Sequence, residues 1–170
     1  MIKRFLISGL VSVVAGVFLL APYCLAEKAS VQTLYVLPFN QGSAPVEVTM
    51  ATFDALVEHL YERGEQEGFQ VTIVKQELTD AGAEWFSGKH YLIGEVTEYT
   101  EDKGCCYTEL KMSSQIQLHL SEKQMQPIIE LSDESFFNHD ITQLSVAQTE
   151  IAGRLGKKMA EQLMLQIETD

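Results

Sequence analysis

Residues 32–75 read QTLYVLPFNQGSAPVEVTMATFDALVEHLYERGEQEGFQVTIVK, a strand, a helix and a strand in succession. Gln32 to Phe39 is rich in β-forming residues and almost continuously apolar, which suits a strand covered on both faces. Pro38 belongs at its end, because it has no N–H to give to a ladder. The segment NQGSAP is a loop by composition. A helix follows from Val46 or Thr49 to about Arg63, with Phe53, Leu56, Val57, Leu60 and Tyr61 on one stripe. Gly64 and Gly68 mark its exit. Phe69 to Lys75 then alternates, placing Phe69, Val71 and Ile73 on one face of a second strand. A strand–helix–strand unit of this kind forms a right-handed crossover between parallel strands.

Beyond this unit the pattern changes. Glu77 to Ser87 has one or two turns of weak helical character, including Trp85 and Phe86. His90 to Thr100 is a third strand and Glu101-Asp102-Lys103-Gly104 a turn. A fourth strand starts at Cys105 or Tyr107 and ends near Leu120, with Ile116, Leu118 and Leu120 on one face. Ser121 to Pro127 is another turn, and Ile128 to Phe136 a fifth strand. Asn138-His139-Asp140 is a polar break. From Thr142 or Gln143 to about Ile167 a long helix carries Leu144, Ala147, Ile151, Leu155, Met159 and Leu163 on its apolar stripe. Ala152, Gly153, Gly156 and Ala160 narrow this helix and predict a close approach to the sheet, since each glycine otherwise costs about 1 kcal/mol against alanine. The expected fold is α+β: a single mixed sheet of about five strands in the order β-α-β-(α)-β-β-β-α, with two main helices packed on it.

The N-terminus bears on location. Lys3 and Arg4 precede an uncharged, largely apolar run from Phe5 to Ala21; Pro22 breaks it, and Cys24-Leu25-Ala26 follows. This is the layout of a secretory signal, and it predicts cleavage after Ala26. The remaining residues, 27–170, form one α/β domain of ordinary size. Two other readings use the same residues. An uncleaved anchor needs a longer run undiluted by Ser8, Gly9, Ser12 and Gly16. Lipidation at Cys24 needs a small residue before it, where Tyr23 stands. The expectation is a periplasmic protein with no membrane span once the signal is removed.

The chain has formal charge −12, and residues 1–26 contribute only Lys3 and Arg4, so the remainder is more acidic still. Such a surface repels nucleic acid and anionic lipid headgroups. The apolar residues recur in periodic runs, so the acid coats a folded domain and does not mark a disordered tail.

The strand ending in "LPF", the amphipathic helix, the strand after "EGF", the strand "HYLIGEVTEY", the hairpin pair and the last helix together resemble a group of envelope domains. The group comprises the TolB amino-terminal domain, the LpoB-type activators of peptidoglycan synthases and the CsgG-type curli secretion proteins. The resemblance spans nearly all of residues 27–170 and implies a periplasmic protein that works by binding others. Many of the group are lipoproteins, whereas here Tyr23 precedes the cysteine. The group shares no catalytic residues, so none carries over.

No residue set stands out for catalysis. His59, His90, His119 and His139 show no paired metal spacing, and no GxGxxG, P-loop, EF-hand or GxSxG pattern occurs. His139-Asp140 reads as an acid/base pair or as the polar cap before the last helix. Glu95, Glu98, Glu101 and Glu109 cluster on one hairpin, either as a cation site or as a solvated strand face. Cys105-Cys106 lies at the tip of the hairpin, where the fourth strand starts and neighbours face opposite ways; the pair reads as two small apolar residues near that tip, a vicinal disulfide, thiols that pair with another chain, or a metal or redox site. Alternation forces at least one of Phe136 and Phe137 out of the core, making the pair a candidate partner contact. The expected function is a soluble periplasmic adaptor that binds cell-envelope proteins, is no enzyme, and uses no cofactor or metal. The alternative is a periplasmic enzyme or small-molecule binder with a site assembled from distant residues.

Overall fold

The computed structural model describes residues 33–40, 42–75, 83–121 and 126–169. The signal, its cleavage point at Ala26 and Cys24 lie outside these residues. Five strands form one mixed sheet in the order β2-β1-β3-β4-β5. They are β1 (Thr33–Val36), β2 (Gln70–Ile73), β3 (His90–Lys103), β4 (Tyr107–His119) and β5 (Ile129–Asn138). The helices are α1 (Val46–Glu67), the one-turn α2 (Ala83–Phe86) and α3 (Leu144–Thr169). The expected α+β class, strand count and element order are all present. β1 runs parallel to both β2 and β3, and β3, β4 and β5 are antiparallel neighbours.

One face of the sheet is the core. Leu34, Val36, Val71, Leu92, Val96, Leu110, Met112, Ile116, Leu118 and Phe137 point into it and meet Leu56, Leu60, Ile151, Leu155, Met159 and Leu163 from α1 and α3. The α3 stripe lies where its spacing placed it, from Ala147 to Leu163. Its small residues act differently from expectation. Gly156 sits against the backbone of α1 at Thr52 and Leu56, so the close approach is between helices and not onto the sheet.

α1 runs past Gly64 to Glu67. Gly68, at φ 81°, closes it by donating its N–H to the Gly64 carbonyl at 2.9 Å. That left-handed position favours glycine, whereas Gly64 lies inside the helix, where Phe69 returns so tightly that a Cβ would meet its carbonyl oxygen at 2.9 Å. The buried side of α1 is Val48, Thr49, Thr52, Leu56, Val57, Leu60 and Gly64, rotated from the expected stripe, so Tyr61 is exposed. Thr52 is tolerated inside because its hydroxyl donates to the Val48 carbonyl at 2.8 Å.

Two local departures shape the rest. The β3–β4 register slips between Val96 and Glu98, leaving Thr97 unpaired. A bulge of this kind reverses the facing of all later residues. Tyr99 therefore turns inward, where its hydroxyl accepts from Gln148 of α3 at 2.7 Å, and Glu98 faces out. Second, the expected turn at residues 101–104 is still strand. Pairing continues to Lys103↔Thr108, and the loop is residues 104–106, closed by the Gly104 N–H on the Tyr107 carbonyl at 2.8 Å. Cys105 and Cys106 are therefore at the hairpin tip, as expected, and β4 begins at Tyr107, the later of its two expected starts. Beyond the bulge no strand flanks β3 on its β1 side among the described residues, so the distal parts of β3, β4 and β5 make a three-stranded wing.

Candidate functional site

Among the described residues, the sheet face opposite α1 and α3 is covered only at one end. There α2 lays Trp85 edge-on against Tyr35, with centroids 5.5 Å apart, and Phe86 against Tyr91 at 4.7 Å. Tyr91 stacks on His119 at 4.3 Å, and the Lys89 ammonium sits 4.0 Å above the Trp85 ring. Burial lowers the pKa of His119 and raises that of Tyr91, so both stay neutral near pH 7. Trp85 and Phe86 thus have a packing role: they seal one end of the face.

The middle of the face is polar. Gln115 donates to Glu95 across the β3–β4 pair, and the shallow depression around Asn40, Ile93, Gln117 and Ile128 holds about 110 Å³, room for a few waters and not for a metabolite. Further along, Lys111 bonds Glu109 at 2.8 Å. That hydrogen bond, then the charges of Glu109, Glu134 and Asp102, raise the Lys111 pKa. The expected carboxylate cluster is thereby split. Glu95, Glu98 and Glu109 share the open face, while Glu101 lies beyond the bulge on the inward side and pairs with Lys103 at 2.9 Å. Among the described residues no three His, Cys, Asp or Glu side chains are grouped to hold a metal ion.

The far end of the face carries two exposed aromatics among charged residues, and none of the described residues covers it. β5 extends to Asn138, so strand alternation separates the two phenylalanines. Phe137 is buried opposite Thr108, and Phe136 is 63% exposed opposite Glu109. Phe137 is therefore core and unavailable to a partner. Tyr107, 60% exposed, has the same facing as Glu109 and is the diagonal neighbour of Phe136. Sequence reasoning missed Tyr107; the signal was its period-two spacing from Glu109. At the adjoining tip both cysteines are exposed free thiols. His139 does not cap α3. Its ring is 3.1 Å from the Thr108 hydroxyl and its N–H donates to the Cys106 carbonyl at 3.3 Å, while Asn138 Oδ1 accepts from the Asp140 N–H to turn the chain. Tyr107 and His119 are the two ends of β4, about 40 Å apart along the strand.

On the helical side, Asp133 of β5 meets α3. Its carboxylate accepts from Arg154 at 2.9 Å and pairs with Lys158 at 3.3 Å, and the Arg154 guanidinium also donates to the Glu134 carbonyl on the sheet edge. Burial pushes the Asp133 pKa up, but the bonds from Arg154, Lys158 and the Glu134 N–H outweigh it, and the group titrates below 3.8. Its stabilisation is present above the unfolded value and is lost as pH falls through the lower folded one. Both cationic partners are well exposed, so Asp133→Asn costs about 1 kcal/mol at neutral pH. Urea unfolding at pH 7 and in acid will show that difference vanish below both values; an unchanged gap would mean that the loss is one of packing.

The sequence matches no family model and no curated protein. Solved structures do match. The hypothetical protein CT253 from Chlamydia trachomatis has TM-score 0.56 and 11% identity, over 82% of this chain and 99% of that one. A minor lipoprotein from Acinetobacter baumannii has TM-score 0.49 and 13% identity, over 80% of this chain and 94% of that one. Lipoprotein GNA1162 from Neisseria meningitidis has TM-score 0.47 and 16% identity, over 78% of this chain and 98% of that one. The likeness to CT253 is one of fold. No described helix is long and apolar enough to cross a membrane.

Proposed function

We propose that this chain is an exported, non-catalytic accessory protein of the cell envelope that binds other envelope proteins through the open face of its sheet. The observation that carries the reading is the diagonal pair Tyr107 and Phe136, two large aromatics standing exposed on a sheet face that no described helix covers there. Rigid aromatic side chains on a flat strand surface are the usual anchors of protein interfaces. The carboxylates Asp102, Glu109 and Glu134 around them favour a partner with basic groups at the rim of the contact. The signal layout at residues 1–26 and the resemblance to the TolB, LpoB and CsgG group support the location, and the net acidity argues against a nucleic-acid partner.

The test is expression with the native N-terminus in a Gram-negative host, intact-mass measurement of the exported form, and crosslinking in the envelope. The expected mass is that of a chain beginning at Glu27, and the expected capture is a discrete partner. Phe136→Ser should reduce that capture about tenfold. It should change stability by no more than about 0.5 kcal/mol, since the ring is on the surface. Capture indifferent to both Phe136→Ser and Tyr107→Ser would move the interface elsewhere. An acylated Cys24 or an intact Met1 would overturn the soluble location.

A further inference from the structure

We infer that the β3–β4 hairpin tip is a covalent self-docking point, at which Cys105 and Cys106 of one copy form disulfides with the same residues of a second copy. Both thiols are exposed at the end of the three-stranded wing, and among the described residues these are the only cysteines. Pairing within the chain is disfavoured by geometry. Adjacent Cα atoms lie about 3.8 Å apart, whereas a relaxed disulfide spans about 4.4–6.8 Å. The tip is also pinned on both sides, by Gly104 N–H to the Tyr107 carbonyl at 2.8 Å and by His139 N–H to the Cys106 carbonyl at 3.3 Å. A strained ring would have to distort this loop. A second copy meets the requirement without distortion. Two tips related by a two-fold axis place Cys105 against Cys106 of the other copy twice, a self-complementary contact of the closed kind that homodimers use.

The chemistry needs a disulfide-bearing oxidant, such as oxidised glutathione or an oxidised dithiol protein. A cysteine thiolate attacks one oxidant sulfur, forms a mixed disulfide and expels a thiolate. A thiolate of the second copy attacks the chain's sulfur in that mixed disulfide and expels the other half of the oxidant as a thiol. Two rounds convert four protein thiols and two oxidant disulfides into two interchain disulfides and four small thiols. An oxidising compartment would sustain this product, and to that extent the inference rests on the envelope location. The product carries two copies of the Phe136 face side by side, so a partner with repeated sites gains avidity.

The experiment is done on purified mature chain in a glutathione redox buffer, so it stands or falls apart from location and from partner capture. Expected is a species of twice the chain mass on a non-reducing gel, lost on reduction and increasing with protein concentration. Its tryptic map should show residues 104–111 linked to residues 104–111. Added salt should speed its formation, because two acidic chains repel at long range. Either single variant, Cys105→Ser or Cys106→Ser, removes one partner from both bonds and should form about tenfold less covalent dimer than the native chain. The double variant should stay monomeric with unchanged circular dichroism. A monomeric peptide 104–111 two hydrogens lighter than its reduced form would overturn the inference, as would only glutathione adducts or two thiols left free at equilibrium.

Discussion

Leu155→Ala should remove about 2–5 kcal/mol of folding free energy, the usual range for emptying a buried leucine site. Leu155 is wholly buried in the middle of the α3 stripe, with Ile151 and Met159 one turn away on either side, also wholly buried. α3 connects to the rest of the protein through this stripe: it packs along α1 and lies over β4 and β5. The loss has two parts, the apolar area no longer withdrawn from water and the cavity left between two helices that cannot close on it. A domain of this size has only about 5–15 kcal/mol in total. The midpoint of thermal unfolding should therefore fall by about 5–15 °C. Leu165→Ala on the same helix is the control: that side chain is 55% exposed, and its loss should cost far less. Equal effects from the two would mean that the stripe is not the seam of the core.

The same stripe was legible in the sequence because period 3.6 survives any tertiary arrangement of the helix. The pairing directions were legible for a similar reason, since a crossover helix forces one parallel pair and short turns force antiparallel ones; that β1 also lies beside β3 was not. What the sequence concealed depends on single-residue register. Simple alternation through β3 counts Leu92, Gly94, Val96 and Glu98 to one side, which would bury Glu98 and expose Tyr99. The bulge at Thr97 reverses that, and nothing in GEVTEYTEDK marks which residue is skipped. The wing was misread because Glu101, Asp102 and Lys103 look like a turn. They are strand residues of a wing open to solvent, where charge costs little. The turn was thereby placed too early, although the cysteines still fell at the hairpin tip. Phe136 and Phe137 show the opposite case. Their adjacency guaranteed one outward ring, and only the end of β5, two residues later than composition suggested, decided which. Tyr107 was hidden because its exposure depends on β5 ending beside it.

Gly156 and Gly153, three residues apart on α3, should respond to substitution in opposite directions. A Cβ built at Gly156 lies 2.7 Å from the Thr52 carbonyl oxygen, 2.8 Å from the Leu56 nitrogen and 2.8 Å from the Ala55 Cβ. Two of these are backbone atoms of α1, which no rotamer change can move aside. A Cβ at Gly153 meets nothing within 4 Å. Both glycines carry the same intrinsic penalty in a helix, so Gly153→Ala should stabilise the protein by up to about 1 kcal/mol. At Gly156 the same propensity gain is opposed by forcing the helices apart along the seam that Leu56, Leu155 and Met159 fill. Overpacking of this kind costs about 1–3 kcal/mol for added methylenes, and occasionally more. Gly156→Ala should therefore be net destabilising, and Gly156→Val more so, at about 3 kcal/mol or beyond, because a branched side chain adds two further carbons to the clash and loses helix propensity. Chemical denaturation of the three variants separates the effects. If Gly156→Ala gains stability as Gly153→Ala does, α1 and α3 do not approach as closely as this geometry requires. If both lose it, the loss at Gly153 needs a contact that the described residues do not contain.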